Sequence, residues 1–439
     1  MTSRVSSLWK NEDWWAVWFG FALIAASLTG LVTQVPKVGK WTDDPLAALG
    51  FGPDGGSILL PLLGLMVGLG VLTTVGVAVM RSERPGRYAA GFAGVFVLAT
   101  LSYWIANQTN VKYWGLSYAL WALLVGLLIS NTVGTPKWLL AGAKTELFIK
   151  TGLVLLGAEI LFKKIVSLGA PGLMVAWIVT PTVVIFMYKF ANRYLKMANK
   201  KLAIIIACAT SVCGVSAAIA AAAACRAKKE DLTLAVGMTL VFTVLMMFFM
   251  PLAIKWIGMD HILGAAWMGG TIDSTGAVVA AGSMLGPDAE KVAAVVKMIQ
   301  NVLIGVLAFA IALYWVTRVD RQPGQKADVR EIWYRFPKFV IGFVGASILF
   351  SFVVVPLTGG DFNFVESTYI KPVTKALRCW FFCIAFVSIG LESNFRDLAG
   401  RMEGGKPLVL YAVGQSFNLI LTLLVAWLAF IVLFPNAVR

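Results

Sequence analysis

The sequence predicts an all-α integral membrane protein with about 13 transmembrane segments. Three observations carry that expectation. Of the 439 residues, 59% are hydrophobic and only 13% are charged, whereas a soluble domain carries roughly 25% charged residues. The apolar residues gather in long runs, among them 15–35, 58–80, 232–256, 293–316 and 408–434, each near the ~20 residues that a bilayer span needs. The runs are continuous, without period-two alternation, and of the two architectures that satisfy their backbone in lipid this selects helices over a barrel.

Taken in order, the segments lie at about 15–35, 58–80, 89–107, 116–133, 148–164, 172–192, 202–225, 232–256, 262–285, 291–316, 338–356, 372–392 and 408–434. The first follows Arg4 and Lys10 and has the outline of a secretory leader. Its apolar run is too long for that and has no small-residue cleavage site, so it reads as a retained helix. No linker is long enough for a soluble domain.

Lys and Arg outnumber Asp and Glu by 37 to 22, a formal charge of +15. The excess sits in short loops between apolar runs, which is how cytoplasmic loops are marked, so no nucleic-acid partner is expected. Four clusters (Arg81/Arg84/Arg87, Lys189 to Lys201, Arg318 to Lys338, and Arg396/Arg401/Lys406) fall on one side if the N-terminus is cytoplasmic and there are thirteen crossings. Arg226, Lys228 and Lys229 then fall outside. Eleven crossings with 202–225 and 262–285 re-entrant removes the conflict, and both topologies stay open.

The composition excludes several chemistries. His261 is the single histidine, and the five cysteines (Cys208, Cys213, Cys225, Cys379, Cys383) lie in or beside apolar segments without a Cys-x-x-Cys. That leaves few ligands for zinc or haem and no secreted disulfide framework. Nucleotide-binding motifs and paired-carboxylate clusters are also missing from the sequence, so neither ATP-driven transport nor an enzyme is expected. No cofactor is expected beyond Na⁺ or H⁺ as a coupling ion.

The polar chemistry is concentrated in two places. Gly269-Gly-Thr-Ile-Asp-Ser-Thr-Gly276 interrupts an apolar segment with one acid, Asp273, and no other charge between Gly264 and Gly286. An ionisable group at membrane depth is costly unless it faces a cavity or a partner. Gly, Ser and Thr also weaken a helix, and transporters place broken helices where substrate and ions bind. The second place is Thr210-Ser-Val-Cys-Gly-Val-Ser216, where a helix end could hold an anion. Tight small-residue packing is the competing explanation for both. Candidate substrate-binding residues are Thr210, Ser211, Cys213, Gly214, Ser216, Gly270, Thr271, Ser274, Thr275, Lys297 and Asn301; candidate ion-coupling residues are Asp273 and Glu392. Lys297, one turn before Gln300 and Asn301, either reaches the surface or serves an anion or Asp273. Glu159 is expected to pair with Lys163 at i+4 in a structural role.

These residues resemble the bacterial YeiH-type (UPF0324-like) family, whose members are often labelled sulfate exporters. The resemblance covers roughly 116–434 and rests on Gly152-Leu-Val-Leu-Leu-Gly157, Cys213-Gly-Val-Ser-Ala217, Val278-Val-Ala-Ala-Gly282 followed by Val296-Lys297, Phe336-Pro-Lys-Phe-Val-Ile-Gly-Phe343, and Ile389-Gly-Leu-Glu392 through Asp397. It implies kinship with sodium/proton antiporters and bile-acid symporters, and so two inverted five-helix repeats with broken helices. On that pattern residues 1–110 form a three-helix extension, 111–257 one repeat and 258–439 the other. Cys213–Ser216 and Ile389–Ser393 then take the fourth position of each repeat. Where members of the family often carry a His-Asp pair and a Gln, this chain has Asp273, Ser274 and Ala277, so an anion is a firmer expectation than sulfate.

The expected function is secondary active transport of a small anion, sulfate or an organosulfonate, in a bacterial inner membrane. An anion channel and a non-transporting sensor or assembly protein are the alternatives. Expected partners are the lipid bilayer and the small anionic solute; a homo-oligomer is compatible with the sequence.

Overall fold

The computed structural model describes residues 8–49, 57–113, 118–319, 337–394 and 405–435. Fifteen helices organise them: α1 (Glu12–Leu28), α2 (Leu59–Met80), α3 (Pro85–Ala106), α4 (Tyr118–Thr132), α5 (Thr145–Gly157), α6 (Ile165–Arg193), α7 (Lys200–Ser211), α8 (Gly214–Ala224), α9 (Lys229–Trp256), α10 (His261–Thr271), α11 (Thr275–Ser283), α12 (Pro287–Tyr314), α13 (Lys338–Leu357), α14 (Phe362–Glu392) and α15 (Lys406–Leu433). Among the described residues the β-pairing is a single isolated bridge, Trp41 with Gln108.

Eight of these helices are long and apolar enough to cross a membrane: α2, α3, α6, α9, α12, α13, α14 and α15. Their starts follow ordinary capping chemistry. Pro85 and Pro287 occupy the first turns of α3 and α12, where a missing N–H costs nothing. Asp260 caps α10 by accepting from Ile262 N at 3.0 Å and Leu263 N at 2.9 Å.

Three expected segments differ from the helices formed. The segment at 15–35 stops being helical after Leu28, where Gly30 takes a φ of 76°, a backbone shape that ends helices. The segment at 148–164 ends its helix at Gly157, and the turn that follows carries Glu159 into the interior. In contrast, α14 begins at Phe362, ten residues before the expected 372. Its first turns carry Glu366, Ser367, Thr368 and Lys371, which an apolar window cannot register.

The chain divides into two compact units, each discontinuous in sequence: Met1–Phe162 with Lys338–Asn394, and Lys163–Pro337 with Phe395–Arg439. In the first unit α14 is the central helix, packed on α3, α4 and α5. Its contact with α4 is glycine-mediated: a Cβ at Gly126 would lie 2.4 Å from the Val387 carbonyl, and one at Gly390 would lie 2.5 Å from the Leu123 carbonyl. Backbones approach this closely only where side chains are absent. Ser130 Oγ then reaches the Gly390 and Ser393 carbonyls at 2.8 and 2.9 Å, and Asn131 Nδ2 reaches Ser393 O at 3.0 Å. These bonds cover the orphan carbonyls at the end of α14.

In this unit Glu159 meets a partner other than the expected Lys163. Arg378 Nε donates to its Oε1 at 2.6 Å and Nη2 to its Oε2 at 3.2 Å. Sequence proximity suggested an i+4 pair, but the turn after α5 ends the helical spacing that such a pair needs.

The second unit is built on two interrupted helices. α7 and α8 form one apolar stretch broken at Val212-Cys213, and α10 and α11 another broken at Ile272-Asp273-Ser274. α7 packs on α6, α9 and α15; α8 and α11 both pack on α9 and α12; and α10 packs on α12 and α15. Both breaks fall within the Gly/Ser/Thr-rich stretches expected to be poor helix.

Candidate functional site

The two breaks touch. Gly214 opens α8 with φ +23°, and a Cβ there would lie 2.7 Å from the backbone carbonyl of Asp273 and 2.9 Å from Thr239 Oγ1. Only glycine permits both the left-handed backbone and the close approach.

Each break creates two helix ends of opposite polarity, and the site treats them differently. The C-terminal ends, where free carbonyls gather negative partial charge, are covered by side chains. At the end of α7, Asn418 Nδ2 donates to Thr210 O at 3.1 Å, Gln300 Nε2 to Ser211 O at 2.9 Å, and Lys297 Nζ to Val212 O at 2.7 Å. Thr180 Oγ1 also donates to Ser211 O, at 3.1 Å. At the end of α10, Gln300 Nε2 donates to Gly270 O at 3.1 Å and Gln415 Nε2 to Thr271 O at 3.3 Å.

At the N-terminal ends the described residues show no side-chain cap. Cys213 and Ser274 occupy the capping positions of α8 and α11, and neither side chain caps its helix. Cys213 and Ser274 are part-exposed, as is Ser216 in the first turn of α8. Cys213 Sγ lies 3.8 Å from Thr275 Oγ1, which accepts from Asn301 Nδ2 at 2.9 Å.

Asp273 and Lys297 are 1% and 0% exposed, so both charged side chains are buried. Neither takes the other as its bonded partner. Lys297 Nζ donates to Val212 O and to Gln300 Oε1, a role different from reaching the surface or meeting Asp273 directly. Asp273 Oδ2 accepts from Tyr411 Oη and from Thr239 Oγ1, the latter at 3.3 Å. Tyr411 Oη and Thr239 Oγ1 lie 3.2 Å apart, closing a small network of neutral hydroxyls around one carboxylate oxygen.

Four buried oxygens at the breaks or on side chains that bond them have no hydrogen-bond partner among the described residues: Asp273 Oδ1, Thr271 Oγ1, Asn301 Oδ1 and Gln415 Oε1. Buried polar atoms are almost always paired, so each such group requires an explanation. A set of acceptor oxygens, one of them a carboxylate, is the ligand chemistry of a hard cation or a proton.

The sequence-selected residues therefore fall into three groups. Cys213, Gly214, Ser216, Gly270, Thr271, Asp273, Ser274, Thr275, Lys297 and Asn301 lie at the touching breaks, in the first helical turn after them, or on the side chains that bond them. Thr210 and Ser211 are present through their carbonyls, because their hydroxyls donate back along α7 to Ile206 O at 2.9 Å and Cys208 O at 3.5 Å. Glu392 lies in the other unit, where its Oε2 accepts from Thr145 Oγ1 at 3.0 Å, and it takes no part in this network.

Five further residues escaped the sequence reading: Thr180, Thr239, Tyr411, Gln415 and Asn418. A signal for three of them was present. Tyr411, Gln415, Asn418 and Thr422 are the polar residues of one helical face, at i, i+4, i+7 and i+11 of α15. All four are buried, so the polar stripe of this apolar helix points inward.

Comparison with known proteins now fixes the family. A family described as "Conserved hypothetical protein 698" matches residues 90–411. A UPF0324 membrane protein of Rhodopirellula baltica is 55% identical over 403 residues, covering 92% of this chain and 73% of that protein. The chain belongs to the UPF0324 family of membrane proteins. A UPF0324 membrane protein of Nitratidesulfovibrio vulgaris is 53% identical over 379 residues, and this chain spans 65% of that relative's length. One from Nitrosomonas europaea is 30% identical, with 93% of each chain covered. No solved structure matches. With its membrane-length helices, this UPF0324 chain is a multi-pass helical membrane protein. All of the touching-break residues named above lie inside the matched region except Gln415, Asn418 and Thr422, which fall just beyond it.

Proposed function

We propose that this UPF0324 protein is a secondary active transporter of a small anion of the sulfate or organosulfonate class, coupled to H⁺ or Na⁺. The observation that carries the reading is the asymmetry of the helix ends. Two negative ends are covered by Lys297, Gln300, Gln415 and Asn418, while two positive ends, α8 and α11, are left without side-chain caps beside part-exposed Cys213, Ser216 and Ser274. Uncapped helix N-termini are anion-binding elements, and half-helix ends of this kind hold anionic groups in membrane transporters. Thr275 on α11 and Lys297 on α12, which packs on both α8 and α11, add donors.

The coupling ion follows from Asp273. A fixed carboxylate at this contact repels an anion, and protonation or a bound Na⁺ cancels that repulsion. The unpaired Asp273 Oδ1, Thr271 Oγ1, Asn301 Oδ1 and Gln415 Oε1 supply acceptors suited to either. Loading of cation and anion would then favour each other, as reciprocal coupling requires. In this reading the protein lies in a bacterial inner membrane with a cytoplasmic N-terminus. Residues 111–257 and 258–439 are its inverted repeats, and it performs no covalent chemistry.

The test is flux into proteoliposomes containing the purified protein. Radiolabelled sulfate and a small sulfonate should enter saturably, faster with an imposed H⁺ or Na⁺ gradient. Linear, gradient-independent anion flux would identify a channel instead, and absence of anion flux or binding would overturn the transport reading.

A further inference from the structure

The first unit carries a groove far from the touching breaks in sequence and chemistry. It runs between α2 and α3, has a volume of about 350 Å³, and is lined by Met66, Val67, Gly70, Val71, Thr74 and Phe92, with Ala89 and Ala93 among its small walls. That is room for roughly a dozen groups of the size of a water or methylene. Small residues make the groove: Gly70, Ala89 and Ala93 leave space that larger side chains would fill, and buried Phe92 forms its floor. Its outer wall is exposed, with Val67 at 54% and Val71 at 60%. In a membrane protein such a surface faces acyl chains.

The end of the same hairpin is basic. The turn joining α2 to α3 presents Arg81 and Arg84, both exposed and without a side-chain hydrogen bond or ion pair among the described residues, and Arg87 follows one turn into α3. Arg87 is already engaged with Glu83 at 3.9 Å and Lys137 O at 3.3 Å. At 1.5 Å of rise per residue, Val75 in the groove lies about 9 Å along α2 from Arg81, and Ala89 about 8 Å along α3 from Arg84. An apolar trench ending about two helical turns from unpaired arginines matches one molecule: a phospholipid with its tail in the trench and an anionic headgroup at the turn. A zwitterionic lipid fills the trench equally well but leaves the arginines without a counter-charge.

We propose that the α2–α3 groove together with Arg81 and Arg84 is a binding site for an anionic phospholipid. The site is independent of the transport reading and holds whether or not the protein moves an anion.

The experiment uses full-length protein in detergent, exchanged against mixed micelles of phosphatidylglycerol and phosphatidylcholine, with retained lipid counted by mass spectrometry. Phosphatidylglycerol should be retained preferentially. Arg81→Asn with Arg84→Gln, the asparagine chosen because Arg81 sits at a φ of 54° that Asn tolerates, should lower that preference roughly 30-fold. Ala93→Leu, which fills the trench and keeps the arginines, should lower retention of both lipids and leave the elution profile of the folded protein unchanged. Equal retention of the two lipids by the unaltered protein, or an unchanged preference in the double-arginine variant, overturns the proposal. A groove occupied instead by a second copy of the chain would give disulfide-linked dimers from Val71→Cys and no lipid preference, which also overturns it.

Discussion

The two compact units bury charge in opposite ways. In the first, Arg378 and Glu159 satisfy each other through both carboxylate oxygens, and the guanidinium lies 5.5 Å from the centre of the Phe382 ring. In the second, Asp273 and Lys297 are equally buried, but each bonds neutral groups, and one oxygen of Asp273 has no hydrogen-bond partner among the described residues. A bidentate pair holds one arrangement and resists change. A carboxylate steadied on one side by Tyr411 and Thr239 and open on the other can accept a proton or a cation without dismantling its surroundings. The same cost of placing charge in a membrane protein is met in one unit by a bidentate ion pair and in the other by neutral hydroxyls that bond one carboxylate oxygen.

The largest effect should come from breaking the ion pair. Arg378→Met takes from buried Glu159 the guanidinium that bonds both of its carboxylate oxygens, at about 3–5 kcal/mol. Little folded protein should survive extraction, as read by thermal unfolding in detergent. Removing both charges with Arg378→Met and Glu159→Gln should recover most of that loss, since replacing a whole buried pair is often close to neutral. Equal melting of the single and double variants would show that the pair does not hold this unit together.

A smaller effect should come from the contact between the breaks. Gly214→Ala places a methyl 2.7 Å from the Asp273 carbonyl and forces alanine to φ +23°, and overpacking of this kind costs about 1–3 kcal/mol. Gly134→Ala is the control: φ there is +80°, with nothing within 4 Å of the added carbon, so only backbone strain of about 1–2 kcal/mol applies. Anion flux should fall in Gly214→Ala and persist in Gly134→Ala. Loss of flux in both would trace the effect to general instability instead of to the contact.

How much of this was legible in the sequence also divides between the units. The breaks at Val212-Cys213 and Ile272–Ser274 were readable because Gly, Ser and Thr weaken helices locally, whatever surrounds them. Asp273 was readable because a lone acid in an apolar run has few structural explanations. The partners were harder. Tyr411, Gln415 and Asn418 carry no charge at neutral pH, so a search for charged residues passes over them; only their shared helical face betrays them. Arg378 lies 219 residues from Glu159, a separation over which no local spacing rule acts. Lys163, four residues away, was the natural local guess, and it failed because the helix ends at Gly157. Thr180 and Thr239 are each one of several hydroxyls on an apolar helix, and nothing in the sequence sets them apart from Thr182 or Thr243.

The smallest stability effect should follow from the change with the largest effect on function. Asp273→Asn keeps the shape of the side chain, and its amide oxygen still accepts from Tyr411 and Thr239 if the amide is oriented as Oδ2 is now. It also removes a buried charge whose hydrogen bonds come from neutral hydroxyls, so the melting free energy should change by less than about 1 kcal/mol. Glu159→Gln alone should cost more, because there Arg378 loses its counter-charge. Transport should respond in the opposite order. In the unaltered protein, protonating Asp273 removes the repulsion of a bound anion, so anion affinity should rise as pH falls or as Na⁺ is added. In Asp273→Asn the repulsion is permanently absent and no carboxylate remains at the break, while Lys297 and Cys213 keep their places there. Binding should then lose its response to Na⁺ and the rise with falling pH that Asp273 confers, while gradient-driven accumulation of the anion disappears. Isothermal titration with sulfate across a pH series, paired with proteoliposome uptake, reads both quantities on the same preparation. A variant that still accumulates anion against its gradient, with the pH dependence of the unaltered protein, would remove Asp273 from the coupling step and leave its burial to be explained by packing alone.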